Sequence, residues 1–94
     1  MPTVVLAAPI ARWLPDSRPG EKSFAVAGTT VREAIEQMLA VVPTMRGYIL
    51  DDQGALRHHV AAFVDGVVVR DKQRLGEAVP PDGEIYLVQA LSGG

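Results

Sequence analysis

Residues 84–94 read EIYLVQALSGG, an apolar segment with alternating periodicity that runs directly into two glycines. The alternation predicts a β-strand over Glu84–Leu91, with Ile85 and Leu87 turned toward a core. Because glycine has no Cβ, the final pair predicts a narrow, flexible thread over residues 91–94 that carries a free carboxylate. Paired glycines also occur in ordinary frayed chain ends, so their meaning depends on the domain before them.

A β-hairpin is predicted immediately upstream of this strand. Val60–Val64 is apolar, Asp65-Gly66 is typical of a type I′ turn, and the chain then continues as Val67–Val69. Residues 71–76 are polar and predict a loop, and residues 80–83 (PPDG) predict a turn before the last strand.

One helix is predicted in the middle of the chain. Thr30 and Glu33 have the spacing of a capping box. In this motif the threonine hydroxyl accepts a hydrogen bond from the backbone N–H of Glu33, and the glutamate side chain reaches back to the start of the helix. Arg32 and Glu36 are spaced to pair on the outer face, and Pro43 ends the helix. Apolar residues recur at steps of three and four and form one stripe: Val31, Ala34, Ile35, Met38, Leu39 and Val42.

The first part of the chain predicts a second hairpin. Thr3–Ile10 is rich in β-branched and small apolar residues and predicts a strand, residues 15–20 (PDSRPG) predict a turn, and Lys22–Ala27 predicts the paired strand. Residues 44–59 are less regular. Within them, Tyr48–Leu50 fits either a short strand or a turn, and Asp51–Gly54 fits a loop.

The composition bounds the class of protein. The chain has 94 residues and a net charge of −2, so we expect one domain over residues 1–94 that binds no nucleic acid. It has no cysteine, which excludes disulfides and thiolate chemistry. The opening residues do not resemble a signal peptide, and no apolar run is long enough to span a membrane, so we expect a cytoplasmic protein with no membrane partner.

The candidate chemical groups within the chain do not suggest an enzyme. His58 and His59 would point to opposite faces of a strand and cannot grip one ion together, so no metal site is predicted. Asp51-Asp52 lacks the ligand spacing of a calcium loop. No phosphate-binding fingerprint and no pairing of a nucleophile with a base is evident, so the chain is expected to be non-catalytic and to bind no cofactor tightly.

The order hairpin, helix, then two or three strands predicts an α+β fold. We expect a mixed sheet of four to five strands with one main helix packed across it. This is the element order of ubiquitin-like β-grasp domains, in which the last strand lies in the middle of the sheet.

The chain resembles the MoaD/ThiS family of ubiquitin-like sulfur carriers, which includes the small subunit of molybdopterin synthase and the carriers of thiamin and cysteine biosynthesis. The resemblance covers nearly the whole chain. It rests on Thr30 at the start of the helix, Phe63-Val64-Asp65-Gly66, Asp82-Gly83-Glu84-Ile85 and Gly93-Gly94.

Two departures from the family pattern concern the pathway. The chain is longer around residues 44–59 than the thiamin-type carriers, and Leu56-Arg57-His58-His59 is more similar to carriers that feed cysteine synthesis. Gln89-Ala90-Leu91-Ser92 stands where many molybdopterin-type carriers have prolines. The resemblance therefore leaves the receiving pathway open: the synthesis of cysteine, molybdopterin, thiamin, a thiolated nucleoside or a secondary metabolite.

The resemblance implies a carrier protein whose Gly94 is adenylated and then converted to a thiocarboxylate. An adenylating enzyme of the ubiquitin-activating type would bind and use the ATP, a sulfide or persulfide donor would supply sulfur, and a downstream synthase would accept it. Gly93 would let the carboxylate pass through a narrow channel. A docking surface is predicted on the sheet face near the thread, formed by Phe63, Tyr86, Val88, Leu91 and Ser92.

Two alternatives remain at this stage. The first is a ubiquitin-like protein modifier, whose activated C-terminal glycine is joined to lysines instead of accepting sulfur. The second is a β-grasp interaction module whose C-terminal tail takes part in no reaction. In each case we expect a monomer or a heteromer with partner proteins.

Overall fold

The computed structural model describes residues 1–11 and 20–90. Residues 15–19 of the turn predicted over residues 15–20, and the predicted thread over residues 91–94, lie outside these ranges. Within the described ranges, five strands and three α-helical segments follow one another. They are β1 (Thr3–Leu6), α1 (Ala8–Ala11), β2 (Lys22–Ala25), α2 (Val31–Val41), a 3-10 helix (Pro43–Met45), α3 (Arg46–Ile49), β3 (Val60–Val64), β4 (Val67–Val68) and β5 (Glu84–Gln89).

The five strands form one mixed sheet in the order β2-β1-β5-β3-β4. β5 runs parallel to β1 and antiparallel to β3, so the last strand is bonded on both sides in the middle of the sheet. This arrangement confirms the predicted α+β class and the β-grasp order of elements.

The predicted type I′ turn joins β3 to β4. Asp65 and Gly66 both have positive φ angles, of 48° and 86°, as that turn requires. Asp65 also contacts Glu84, the first residue of β5, twice: its backbone N–H donates to the Glu84 carbonyl at 2.9 Å, and its carboxylate accepts from the Glu84 N–H at 2.9 Å. The turn therefore fixes the beginning of β5.

Helix α2 begins and ends as the sequence predicts. The Thr30 hydroxyl accepts from the Glu33 N–H at 3.2 Å, and the Glu33 carboxylate accepts from the Thr29 N–H at 2.8 Å, one residue before the position expected for a capping box. The pKa of Glu33 is lowered mainly because its carboxylate accepts this hydrogen bond from the Thr29 backbone. Arg32 pairs with Glu36 at 3.9 Å, and the helix ends at Val41, before Pro43.

The core lies between α2 and one face of the sheet. Ile35 and Met38 of the helix and Ile85 and Leu87 of β5 are fully buried, so the alternation predicted for the last strand is confirmed. Burial of each such side chain stabilises the fold by about 1.5–3 kcal/mol relative to its exposure. The other face of β5 is left for contacts outside this core.

Four strand boundaries differ from the sequence prediction. The first strand ends at Leu6 and not at Ile10, because the chain turns into α1, where the Ala11 N–H donates to the Ala7 carbonyl at 2.8 Å. Proline cannot donate to a strand ladder, so a strand is disfavoured at Pro9, and the helical turn buries Ile10 in the core. The strand predicted over Lys22–Ala27 ends at Ala25, the one predicted over Val67–Val69 ends at Val68, and the one predicted to reach Leu91 ends at Gln89.

Neither of the two alternatives for Tyr48–Leu50, a short strand or a turn, is found in the structure. Arg46–Ile49 forms the short helix α3, which places Ile49 in the core, and Leu50 forms a bridge with Leu56. Asp51–Gly54 is a loop, as predicted, in which the Asp51 carboxylate accepts a hydrogen bond from the Gln53 N–H at 2.8 Å.

Candidate functional site

The outer face of the sheet, opposite α2, is centred on Tyr86. Tyr86 of β5 pairs with Val5 of β1 on one side and with Phe63 of β3 on the other. Val88, two residues along β5, pairs with Ala61. Tyr86, Val88 and Phe63 are all half-buried, so each is partly accessible from this face.

A shallow hollow of about 570 Å³ lies on this face. We call it the sheet hollow. It is lined by Glu21, Phe63, Gly66, Glu84, Tyr86 and Val88. Its floor is aromatic and aliphatic, and two carboxylates stand among the lining residues. Gly66 of the turn after β3 and Glu84 at the start of β5 belong to it because Asp65 bonds directly to Glu84.

Tyr86 is held by a carboxylate from across the sheet. Its hydroxyl donates to a Glu21 carboxylate oxygen at 3.2 Å. Glu21 immediately precedes β2, on the far side of β1, so the Tyr86 side chain spans β1. The hydrogen bond to Glu21, desolvation and the charges of Glu21 and Glu84 raise the pKa of Tyr86. The phenol is therefore neutral, oriented, and placed in the field of two carboxylates.

The predicted site residues fall into two groups. Phe63, Tyr86 and Val88 are brought together in the sheet hollow, with Tyr86 and Val88 pointing away from the core as expected. Leu91, Ser92, Gly93 and Gly94 lie outside the described residues.

The last described residue before that segment is tied to the sheet. The N–H of Ala90 donates to the carbonyl of His59 at 2.7 Å, one position beyond the pairing of Gln89 with Val60. Residue 91 therefore follows a backbone that is bonded up to Ala90.

Sequence reasoning missed the two carboxylates of the sheet hollow. Glu84 could have been found, because period-two alternation along β5 places it on the same face as Tyr86 and Val88. Glu21 has no local signal, because its contact with Tyr86 joins positions that are 65 residues apart.

The two histidines lie in the turn before β3 and not on a strand. His58 is exposed, whereas His59 is half-buried with its ring edge-on to Tyr48 at a centroid distance of 4.9 Å. Within residues 1–11 and 20–90, no group of three or more His, Cys, Asp or Glu side chains is placed to hold a metal ion. No helix in those ranges is long and apolar enough to cross a bilayer.

Solved structures with the same fold cover nearly the whole chain. SAMP1 from Haloferax volcanii is 25% identical with a TM-score of 0.69, and the match covers 98% of this chain and 99% of that one. CysO in the Amycolatopsis orientalis BexX/CysO complex is 22% identical with a TM-score of 0.74, and the match covers 97% of this chain and 99% of that one. Mycobacterium tuberculosis CysO, described as an antigen, is 22% identical with a TM-score of 0.73, and the match covers 94% of this chain and 99% of that one.

No protein-family model matches the chain, and no curated protein sequence matches it either. The structural matches nevertheless agree with one another, since each pairs this chain with a small protein over nearly the full length of both. The resemblance to MoaD/ThiS-type carriers that the sequence predicts is thus confirmed in the fold, and the chain has a ubiquitin-like β-grasp fold similar to that of SAMP1 and CysO.

Proposed function

We propose that the chain is a sulfur carrier whose C-terminal glycine, Gly94, is adenylated and then converted to a thiocarboxylate. The observation that carries the proposal is the position of β5. This strand is bonded to β1 and β3 on its two sides, and it leads directly into residues 91–94. A sheet strand held on both sides gives the carboxyl group at Gly94 a fixed starting point.

The proposed chemistry needs an external activator. A carboxylate is a poor acceptor for sulfur, because oxide is a poor leaving group. The Gly94 carboxylate oxygen would attack the α-phosphate of ATP in an adenylating partner of the ubiquitin-activating type, with pyrophosphate as the leaving group. A sulfide donor would then attack the acyl carbon and release AMP. A persulfide donor would first form an acyl disulfide, and a thiol of the donor protein would attack the donor's sulfur, form a disulfide with it and release the thiocarboxylate.

In this proposal the chain is a substrate for other enzymes and not a catalyst. Its own contributions are presentation of Gly94, passage of Gly93 through a narrow channel, and docking through the sheet hollow together with Leu91 and Ser92. ATP would be bound by the partner. The thiocarboxylate would then serve as a sulfur nucleophile for a synthase of the cysteine, molybdopterin or thiamin type.

The decisive experiment measures the intact mass of the protein after incubation with ATP, sulfide and an adenylating enzyme from the same genome. We expect a mass increase equal to the replacement of one oxygen by sulfur, located at Gly94 by fragmentation. An enzyme that adenylates Gly94 but yields no sulfur-containing product would overturn the carrier role.

A second function is favoured by one comparison. Haloferax volcanii SAMP1 is a small archaeal modifier protein, and it matches this chain over 98% of its length. A modifier would use the same activated Gly94, but a lysine amine would displace AMP and form an isopeptide bond. Conjugates of higher mass in cell extract, absent when Gly94 is deleted, would support this function. An interaction module with an idle tail would be unaffected by loss of Gly93 and Gly94.

A further inference from the structure

The sheet hollow combines three features that together select a ligand group. Phe63 and Tyr86 supply aromatic surface, Val88 supplies aliphatic surface, and Glu21 and Glu84 supply two negative charges. None of the described residues that line the hollow is basic. A purely apolar partner would leave both carboxylates without compensation, and this is unfavourable once contact removes water from them.

The two carboxylates retain capacity for a further partner. Among the described residues, Tyr86 donates a hydrogen bond to Glu21 through its hydroxyl at 3.2 Å, and a carboxylate has about four acceptor positions. The Glu84 backbone is engaged by Asp65, but no described residue donates a hydrogen bond or forms an ion pair to the exposed Glu84 carboxylate. Both groups can therefore accept from a donor that arrives with another molecule.

The field of the two carboxylates converges on the phenol between them. The Tyr86 hydroxyl donates to Glu21, and the charges of Glu21 and Glu84 both contribute to the raised pKa of Tyr86. A cation placed over the Tyr86 ring would be attracted by the ring face and by both carboxylates at once. The planar guanidinium of arginine suits this place better than an ammonium, because it stacks on aromatic rings and donates two parallel hydrogen bonds to one carboxylate.

We propose that the sheet hollow binds an arginine side chain of a partner protein, with the guanidinium over Tyr86 between Glu21 and Glu84 and the neighbouring apolar surface of the partner on Phe63 and Val88. The identity of that partner as the enzyme acting on Gly94 rests on the proposed function. The recognition of arginine does not, because it follows from the lining of the hollow alone.

The first test uses a probe that requires no partner enzyme. Three capped tripeptides, Leu-Arg-Leu, Leu-Lys-Leu and Leu-citrulline-Leu, are titrated into ¹⁵N-labelled protein at low salt. Citrulline has nearly the shape of arginine but no charge, so it isolates the contribution of the cation. We expect the arginine peptide to shift the amide signals of Phe63, Gly66, Glu84, Tyr86 and Val88, and the citrulline peptide to leave them in place.

Matched variants locate the interaction. Glu21→Gln and Glu84→Gln each remove one charge from the hollow, and Asp52→Asn removes one charge from an exposed turn residue that does not line it. We expect each hollow variant to weaken binding of the arginine peptide by about three- to tenfold, the range of a partly exposed charge-assisted pair. Asp52→Asn should bind it as the unmodified protein does.

The outcomes separate this proposal from the carrier role. Equal shifts with the citrulline peptide, no shifts with the arginine peptide, or equal binding by Glu84→Gln would overturn the arginine site even if Gly94 accepts sulfur. Arginine-specific shifts in a protein whose Gly94 never accepts sulfur would uphold the site and reject the carrier role. With an adenylating enzyme in hand, the same variants should raise its dissociation constant at low salt and lose that difference at high salt.

Discussion

The N–H of Ala90 donates a 2.7 Å hydrogen bond to the carbonyl of His59. Ala90 lies one residue past the end of β5, and His59 lies one residue before the start of β3. The bond therefore adds one rung to the antiparallel ladder at the position where the chain leaves the sheet toward Gly94. The His59 ring, edge-on to Tyr48, supports the residue that accepts it.

Removing this rung should affect presentation more than folding. Proline at position 90 has no N–H, so Ala90→Pro deletes the donor, whereas Ala90→Gly keeps it. We expect Ala90→Pro to lower the free energy of unfolding by about 0.5–1.5 kcal/mol, the net contribution of one hydrogen bond. We also expect slower thiocarboxylate formation, measured by intact mass over time. A proline variant that matches the glycine variant in rate would contradict this role.

Changing Gly94 should abolish activation without unfolding the domain. Deletion of Gly94 moves the terminal carboxyl group away from its reacting position. Gly94→Ala adds a side chain that the narrow channel proposed for the adenylating enzyme would not accommodate. We expect loss of ATP–pyrophosphate exchange by the adenylating enzyme, with an unchanged circular dichroism spectrum. Gly47→Ala is the matched control, because a Cβ there meets nothing within 4 Å. Normal exchange by the deletion variant would refute the prediction.

A charge in the sheet hollow should impair docking. Val88→Asp removes aliphatic contact area from the lining and replaces it with a charge that the partner's apolar surface would desolvate. Val67→Asp is the control, since Val67 is 67% exposed and does not line the hollow. We expect Val88→Asp to raise the dissociation constant for the adenylating enzyme at least about tenfold, equivalent to about 1.4 kcal/mol. Equal affinities of the two folded variants would count against this docking surface.

Gly83 should resist substitution for reasons of packing. A Cβ at this buried position would lie 2.9 Å from Pro80 Cδ and 3.1 Å from the Pro80 carbonyl oxygen, so the turn before β5 would have to shift. We expect Gly83→Ala to destabilise the fold by about 1–3 kcal/mol in chemical denaturation. Gly76→Ala, where a Cβ meets nothing within 4 Å, should change stability by less than about 0.5 kcal/mol. Similar losses for both variants would indicate a cause other than packing.

Tyr86 should titrate at higher pH than an ordinary tyrosine, and Glu21 is the main reason. Its pKa is raised first by the hydrogen bond to Glu21, so Glu21→Gln should lower it toward the ordinary value. A raised folded-state pKa contributes stability that is present below the unfolded value of 10.0 and is lost as pH rises through the folded value. The measurement is the phenolate absorbance in a Tyr48→Phe background. An unchanged midpoint in Glu21→Gln would remove the basis for this contact.

The sequence was most informative where local rules and burial agree. The type I′ turn at Asp65-Gly66, the threonine cap of α2 and the inward alternation of Ile85 and Leu87 are all encoded within a few residues, and all three are confirmed. The order of these elements was enough to predict the β-grasp sheet with β5 in its middle.

The errors arose where tertiary packing overrides local preference. Residues 8–10 have the composition of a strand, but the core is completed by a helical turn that buries Ile10, and strand composition does not report this. The carboxylate of Glu21 belongs to the sheet hollow only because β1 separates β2 from β5 in the sheet. Contacts of this kind depend on the order of the strands in the sheet, and the residue pattern of a single segment does not encode that order.

The parallel pairing of β1 with β5 has a mechanical consequence. In a parallel pair, the beginning of one strand and the end of its neighbour lie at opposite ends of the ladder, so tension between them loads all the hydrogen bonds in shear. The β1–β5 register extends from Thr3 opposite Glu84 to Leu6 opposite Leu87. An enzyme that grips the segment after β5 and pulls along the strand therefore strains several bonds at once and cannot peel them off one by one. The β1–β5 pairing therefore resists force that is applied along β5 at its C-terminal end.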